Sequence, residues 1–491
     1  MGIVAKQASR ASIAIGLGMV FGAVNTMYVL PQVFDGNEEQ WGLVRVLTAW
    51  GAMVSHIVSV GVPAAIIRFL PQYPESERPG ILGSLLVFPS LAILLFGLLL
   101  WAFGADLFTR FGGEDGNLIS DHLGFLFALT AIPAAMWITR SLINTALKSA
   151  IATAVEEFWL KASYMVLALF LGWQLFDFDA FMYLYVGTWA LGVLVLIAQA
   201  QRNRMRVGWP IRSAPWREYL AYSGFNVLSI GAVAIAQNLD FIMVGAYLGL
   251  DNVPKYTMGF FLGTVVAMPV RATGQILQGL TSHRMAQAPV SELRGLLRQS
   301  SRIQFLLSVA FMAGIWAGFQ PFEQLLPVHY RGIAPIFLAI GAQRLVIAAM
   351  GISNSILNFS GLYREALPIQ LGLVVVTVIT NHIAMKTLGW GLTGAALATF
   401  LTSIWGASWT LRRIWRHFKV HPLSWDLLPI SALGLATALL LALPPLGWSG
   451  LGPLFEAAFQ GALATGSILG AAYLLGYIPE IRGTRIGPIQ L

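Results

Sequence analysis

Arg45 and His56 stand eleven positions apart in an apolar stretch, which at about 100° per residue places them on nearly one side of a helix. The same arithmetic puts Asn226, Gln237 and Asp240 on one face of another apolar stretch, with Ser229 close by. Arg344, Gly351 and Asn358 form a seven-residue repeat in a third, and Arg271, Gln275 and Gln278 follow Pro269 in a fourth. Asn25 lies in the first stretch, where Gly18 and Gly22 permit close helix packing. Guanidinium groups offer parallel, charge-assisted hydrogen bonds to anionic oxygens, so the chemistry these residues suggest is binding, not bond making. No carboxylate pair, glycine-rich phosphate loop or nucleophile motif accompanies them, and no catalytic residue is expected. Zero cysteines exclude disulfides and thiolate chemistry, and the seven scattered histidines lack ligand spacing, so no metal site or cofactor is expected.

The elements that position these residues are about fourteen apolar stretches, near 9–33, 41–70, 81–104, 121–147, 156–176, 180–201, 219–249, 254–280, 301–320, 332–359, 365–386, 389–418, 426–445 and 451–477. A hydrocarbon core of roughly 30 Å needs about 20 helical residues. Backbone groups within it must be satisfied inside the segment, so each stretch should be a helix. With 57% hydrophobic and 11% charged residues, the chain cannot solvate a globular surface of this size. The fold class expected is an all-α polytopic membrane protein. Its apolar N-terminal stretch shows no small-residue cleavage site and is expected to be retained.

The net charge of +8 is a topology signal before it is a hint of nucleic acid. If the N-terminus is cytoplasmic, only Arg45, Arg110, Lys255, Arg331, Arg344 and Lys386 of the 30 Lys and Arg fall away from cytoplasmic ends or loops. Acidic residues such as Asp35, Glu38, Glu39, Asp106, Asp177 and Asp251 gather on the opposite side. An even helix count returns the C-terminus, with Arg482 and Arg485, to the cytoplasm. The arginine clusters are read first as topology signals, with attraction of anionic lipid headgroups as the secondary reading. A short echo between VLPQVFDGNEEQWGLVRVL and VGAYLGLDNVPKYTMGFFL, each an apolar helix ending at Asp before an aromatic restart, suggests paired bundles of about six helices.

An ionisable group near the bilayer midplane costs roughly 2.5 to 3.5 kcal/mol on insertion scales, so such groups should face protein or water. The polar stripes therefore call for a hydrated interior. Alternatively, each stripe ties neighbouring helices by hydrogen bonds, worth about 0.6 kcal/mol on average. Arg68, Arg140, Lys148, Lys161 and Arg364 lie near cytoplasmic helix ends, where snorkelling accounts for them equally well.

Several passages resemble the oligosaccharide flippases (Wzx-type, O-antigen) of the multidrug/oligosaccharidyl-lipid/polysaccharide exporter superfamily. Residues 38–73 do so, ending in the Gly61, Ala65, Arg68 pattern. So does LDFIMVGAYLGLDNVPKYTMGFFLGTVVAMPVRATGQI, with Asp240, Gly245 to Gly249, Tyr256 and Pro269. GISNSILNFSGLYR and GWGLTGAALATFLTSIW resemble the tenth and twelfth helices of that family. The resemblance implies two six-helix lobes around a central cavity, here 1–205 and 206–420, with two further helices in 421–491. It implies a cavity lined by the first, second, seventh and eighth helices, which here carry Asn25, Arg45, His56, Asp240 and Arg271. It further implies a bacterial cytoplasmic membrane location and a lipid-linked oligosaccharide as cargo. Membrane lipids are expected as partners and other polysaccharide-assembly proteins as companions; no cofactor is expected, and a coupling ion, Na⁺ or H⁺, is left open.

Taken together, the candidate cavity residues are Asn25, Arg45, His56, Asn226, Gln237, Asp240, Arg271, Arg344 and Asn358, with Arg68 and Arg364 at the cytoplasmic entry. Arg45 and Asp240 are expected to pair across the lobes when the outer side is closed. A cation antiporter of the same fold is the competing reading, although such cargo would favour acidic cavities. A membrane glycan polymerase or ligase would need a long outer loop, and the chain has none. A scramblase without ion coupling is a further alternative.

Overall fold

The computed structural model describes residues 2–111, 113–146, 149–203, 205–210, 216–287, 293–360, 362–441 and 452–477. Lys148, Arg204, Arg212, Arg482 and Arg485 lie outside these residues. Every one of the fourteen apolar stretches is helical over most of its described length, and the chain is an all-α polytopic membrane protein. Among the described residues, nine helices are long and apolar enough to cross a membrane, or ten if one bent pair is a single span.

The remaining stretches miss that criterion because their helices are broken, short or less apolar. The fifth passes from Ser149–Thr153 through a π segment, Ala154–Trp159, into Leu160–Gly172. The eighth divides into Asn252–Val265 and Met268–Gln287. Pro269 falls at the second position of the new helix, where its missing N–H leaves no bond unmade. The tenth divides into Ala334–Ala349 and Ser353–Phe359, bent by 57°. Gly351 at the break has φ +54°, a backbone region that other residues rarely adopt. This corrects the expectation of one continuous Arg344, Gly351, Asn358 face: the seven-residue spacing assumes an unbroken helix, and Arg344 and Asn358 fall on opposite sides of the bend. The second stretch also breaks, between Glu38–Val58 and Val62–Phe69, at Gly61 with φ +66°.

The chain packs as two compact units, Met1–Thr257 and Met258–Leu491. In the first, Glu38–Val58 packs against both Leu123–Thr145 and Trp216–Leu248, while Phe178–Arg202 packs on Leu123–Thr145. Gly2–Val24 crosses the π segment so closely that a Cβ on Gly18 would lie 1.8 Å from the Glu157 carbonyl oxygen. Small residues permit such approaches, and in lipid, where burial drives helices together only weakly, close packing carries much of the association. In the second unit, Ala334–Ala349 and Tyr363–Asn381 pack on Gly391–Phe418. There Arg294–Ala317 packs on Leu427–Leu441 and Pro453–Leu474. Large exposed side chains such as Leu91, Leu94, Leu98 and Trp101 on Arg78–Phe111 form an apolar surface suited to lipid chains.

Candidate functional site

Arg45 lies one turn along Glu38–Val58 from Trp41, and its guanidinium carbon sits 3.6 Å above the centre of the Phe241 ring. A cation over an aromatic face is stabilised by the ring quadrupole, by about 2 kcal/mol or more where water is excluded. Tyr164, Tyr185 and Tyr256 lie near enough to act on its charge. The Tyr164 and Tyr185 rings are 5.0 Å apart, and the Tyr185 hydroxyl is 3.3 Å from the Thr48 hydroxyl. Asp240, next to Phe241, is buried and accepts a hydrogen bond from the buried Tyr256 hydroxyl at 3.3 Å.

Thus Arg45 and Asp240 belong to one shell within the first unit, built from the Glu38–Val58 and Trp216–Leu248 helices and the start of Asn252–Val265. The observed arrangement sets the cation on an aromatic face and the carboxylate on a phenol. Phe241, Tyr164 and Tyr185 escaped the sequence reading, since aromatic residues in apolar helices look like ordinary packing. The one available signal was the hydroxyl of each tyrosine, which needs a polar partner when buried.

The remaining candidates in this unit are spread along its helices. His56 follows Arg45 by eleven residues, roughly 16 Å along the axis. It rests against Trp137, with ring centres 5.0 Å apart, and its Nδ1 is 2.9 Å from the Ala52 carbonyl. Asn25 opens a π segment, Asn25–Val29, and its buried Oδ1 has no hydrogen-bond partner among the described residues. Such π-bulges occur frequently at functional sites. Asn226 donates to the Tyr222 carbonyl at 2.9 Å, and Gln237 is exposed. Arg68 is exposed and lies 4.4 Å over the Tyr222 ring.

In the second unit Arg344 lies 5.5 Å over the Phe260 ring, and Arg271 is exposed just past the break in the eighth stretch. Asn358 is exposed beyond the bend. The Gln304 amide donates to the Thr273 hydroxyl at 3.0 Å, joining the eighth and ninth stretches. Arg364 falls within Tyr363–Asn381, but its side chain lies outside the described residues, as does that of Gln275. Among the described residues no group of three or more His, Asp or Glu side chains could hold a metal ion.

A scan against protein-family patterns gives no match, and no curated relative matches in sequence. Comparison of backbones does. A structure titled lipid II flippase MurJ in an inward closed conformation superposes with a TM-score of 0.77 at 14% identity, covering 94% of this chain and 98% of that one. An inward-facing multidrug resistance MATE family transporter of the MOP superfamily gives 0.63 at 14% identity over 82% and 98%. A MATE in the straight conformation gives 0.55 at 13% identity over 88% and 96%. At such low identity the likeness is one of architecture, and on it the chain has the fold shared by the lipid II flippase and the MATE transporters.

Proposed function

We propose that this protein is a flippase that carries a polyprenyl-pyrophosphate-linked oligosaccharide from the cytoplasmic to the outer leaflet of a bacterial inner membrane, for cell-surface polysaccharide assembly. The observation that carries this reading is a MurJ-like backbone whose ionisable cavity candidates are three arginines, one histidine and one aspartate. A carrier lipid of this kind has a tail at home in hydrocarbon, an anionic pyrophosphate and a hydrated glycan. A polar chamber would spare the glycan its dehydration, and Arg45, Arg271 and Arg344 are the proposed pyrophosphate ligands. Lobes 1–205 and 206–420 would rock about this chamber to expose it to each leaflet in turn, with 421–491 as a flanking pair. Asn25, His56, Asn226, Gln237, Asp240 and Asn358 are proposed as its polar walls, and Arg68 and Arg364 as its entry. Both termini are then cytoplasmic. The reading makes the protein a transporter, not an enzyme, and the chain offers no catalytic motif against it.

The second reading, a cation antiporter, is favoured by the likeness to MATE transporters and by buried Asp240 amid aromatic rings, surroundings that suit an organic cation. Proteoliposomes separate the two. The flippase reading expects a fluorescent polyprenyl-pyrophosphate glycan to become accessible on the far leaflet, at least tenfold faster than in empty vesicles. It also expects that rate to fall in Arg271→Gln and Arg344→Gln. Repeating the measurement with and without Na⁺ and H⁺ gradients tests coupling. Uptake of an organic cation with no movement of the glycan would assign the antiporter instead.

A further inference from the structure

A cationic recess lies in the Met258–Leu491 unit, lined by residues other than the candidate cavity residues. It encloses about 750 Å³ and is lined by Arg298, His421, Ser424, Trp425 and Asp426, with Leu423, Leu427 and Leu428. Arg298 projects from the second turn of Arg294–Ala317. The other residues belong to the connection between Gly391–Phe418 and Leu427–Leu441 and to the first turn of the latter helix. Val420 anchors that connection in a cluster with Leu293, Leu297 and Ile414, so the recess has a packed floor.

Charge in the recess is unbalanced. Its one carboxylate, Asp426, accepts from the Ser424 hydroxyl at 3.3 Å and lies 3.8 Å from Arg302. Arg298 has no ion-pair partner among the described residues, and its Nε is buried without an acceptor. Arg298 is half-buried, and a guanidinium N–H that is buried without an acceptor is costly unless an anion joins it. The rim is unusual in the opposite sense: Trp425 is 86% exposed, and Leu423 and Leu428 are exposed beside it. Indole at the mouth of a cationic recess, flanked by leucines, is the arrangement expected where headgroups meet acyl chains.

We propose that this recess binds the phosphate of an anionic phospholipid, with Arg298 and His421 on the headgroup and Trp425, Leu423 and Leu428 against its chains. It is a lipid site separate from the transport pathway and holds whichever cargo the protein carries. Native mass spectrometry of the full chain in detergent, with phosphatidylglycerol and phosphatidylcholine offered together, tests it. Phosphatidylglycerol should be retained preferentially, and Arg298→Gln should weaken its binding about tenfold. Trp425→Ala, which leaves the charge in place, should weaken it about threefold. Arg294→Gln removes an exposed charge from the same helix outside the recess and should change little. Equal losses in Arg294→Gln and Arg298→Gln would reduce the effect to diffuse surface charge and overturn the site. Full displacement of the lipid by millimolar inorganic phosphate would likewise overturn it, because it would mark a site for the free anion.

Discussion

The two ends of the contact between the second and seventh apolar stretches share a close backbone approach and differ in the side chains that accompany it. At the Trp41 end, backbone meets backbone. A Cβ on Gly42 would lie 1.9 Å from the Leu250 carbonyl oxygen, and the Leu250 N–H donates to Asp115 at 2.6 Å. Arg45 is held there on Phe241. At the Gly61 end a backbone approach, with a Cβ on Gly61 2.5 Å from the Ser223 carbonyl oxygen, is joined by aromatic side chains. Phe69 meets Tyr219 and Tyr222 with ring centres 4.8 and 5.5 Å apart, and the Tyr219 hydroxyl donates to that of Tyr73 at 3.2 Å. Arg68 stays exposed above Tyr222. Parting aromatic pairs costs about 0.5 to 1.5 kcal/mol each. Parting the Trp41 end takes the Arg45 cation from the ring of buried Phe241, away from water. The Gly61 end, with Arg68 exposed above its ring, is therefore the weaker of the two contacts.

Three substitutions probe this asymmetry. Gly42→Val should have the largest effect, because its new methyl groups meet main chain that cannot step aside. A loss of about 2 to 3 kcal/mol is expected, read as a lowered thermal unfolding midpoint in detergent. An unchanged midpoint would mean the backbones are not in contact there. Asp115→Ala should cost about 1.5 kcal/mol by leaving the Leu250 N–H without its charged acceptor, and chemical denaturation would measure it. Tyr219→Phe removes one hydroxyl at the other end and should cost about 0.6 kcal/mol, the average for a hydrogen bond between membrane helices. Should Tyr219→Phe prove more damaging than Asp115→Ala, the two ends would have been ranked in the wrong order.

The architecture was legible because hydrocarbon imposes a length and a composition on every span, and these show in the residues without knowledge of neighbours. Asp240 and Arg45 could be picked out for the same reason: charge in an apolar stretch is conspicuous. Their surroundings could not. Phe241, which receives the Arg45 cation, is one of 29 phenylalanines and carries no mark of that role. The Arg344 to Asn358 stripe failed because periodicity presumes an unbroken helix, whereas Gly351 turns the chain there. The Arg298 recess escaped notice since its parts come from segments more than 120 residues apart.

What the amino-acid order determined by itself was the number of apolar stretches, their helical state and the asymmetry of positive charge, all consequences of moving single segments into lipid. Tertiary structure decided where those helices break, which ring receives Arg45, which phenol meets Asp240 and which cations gather in a recess. These depend on close approach between distant segments, and energies of that kind belong to pairs of residues that the linear order does not place side by side.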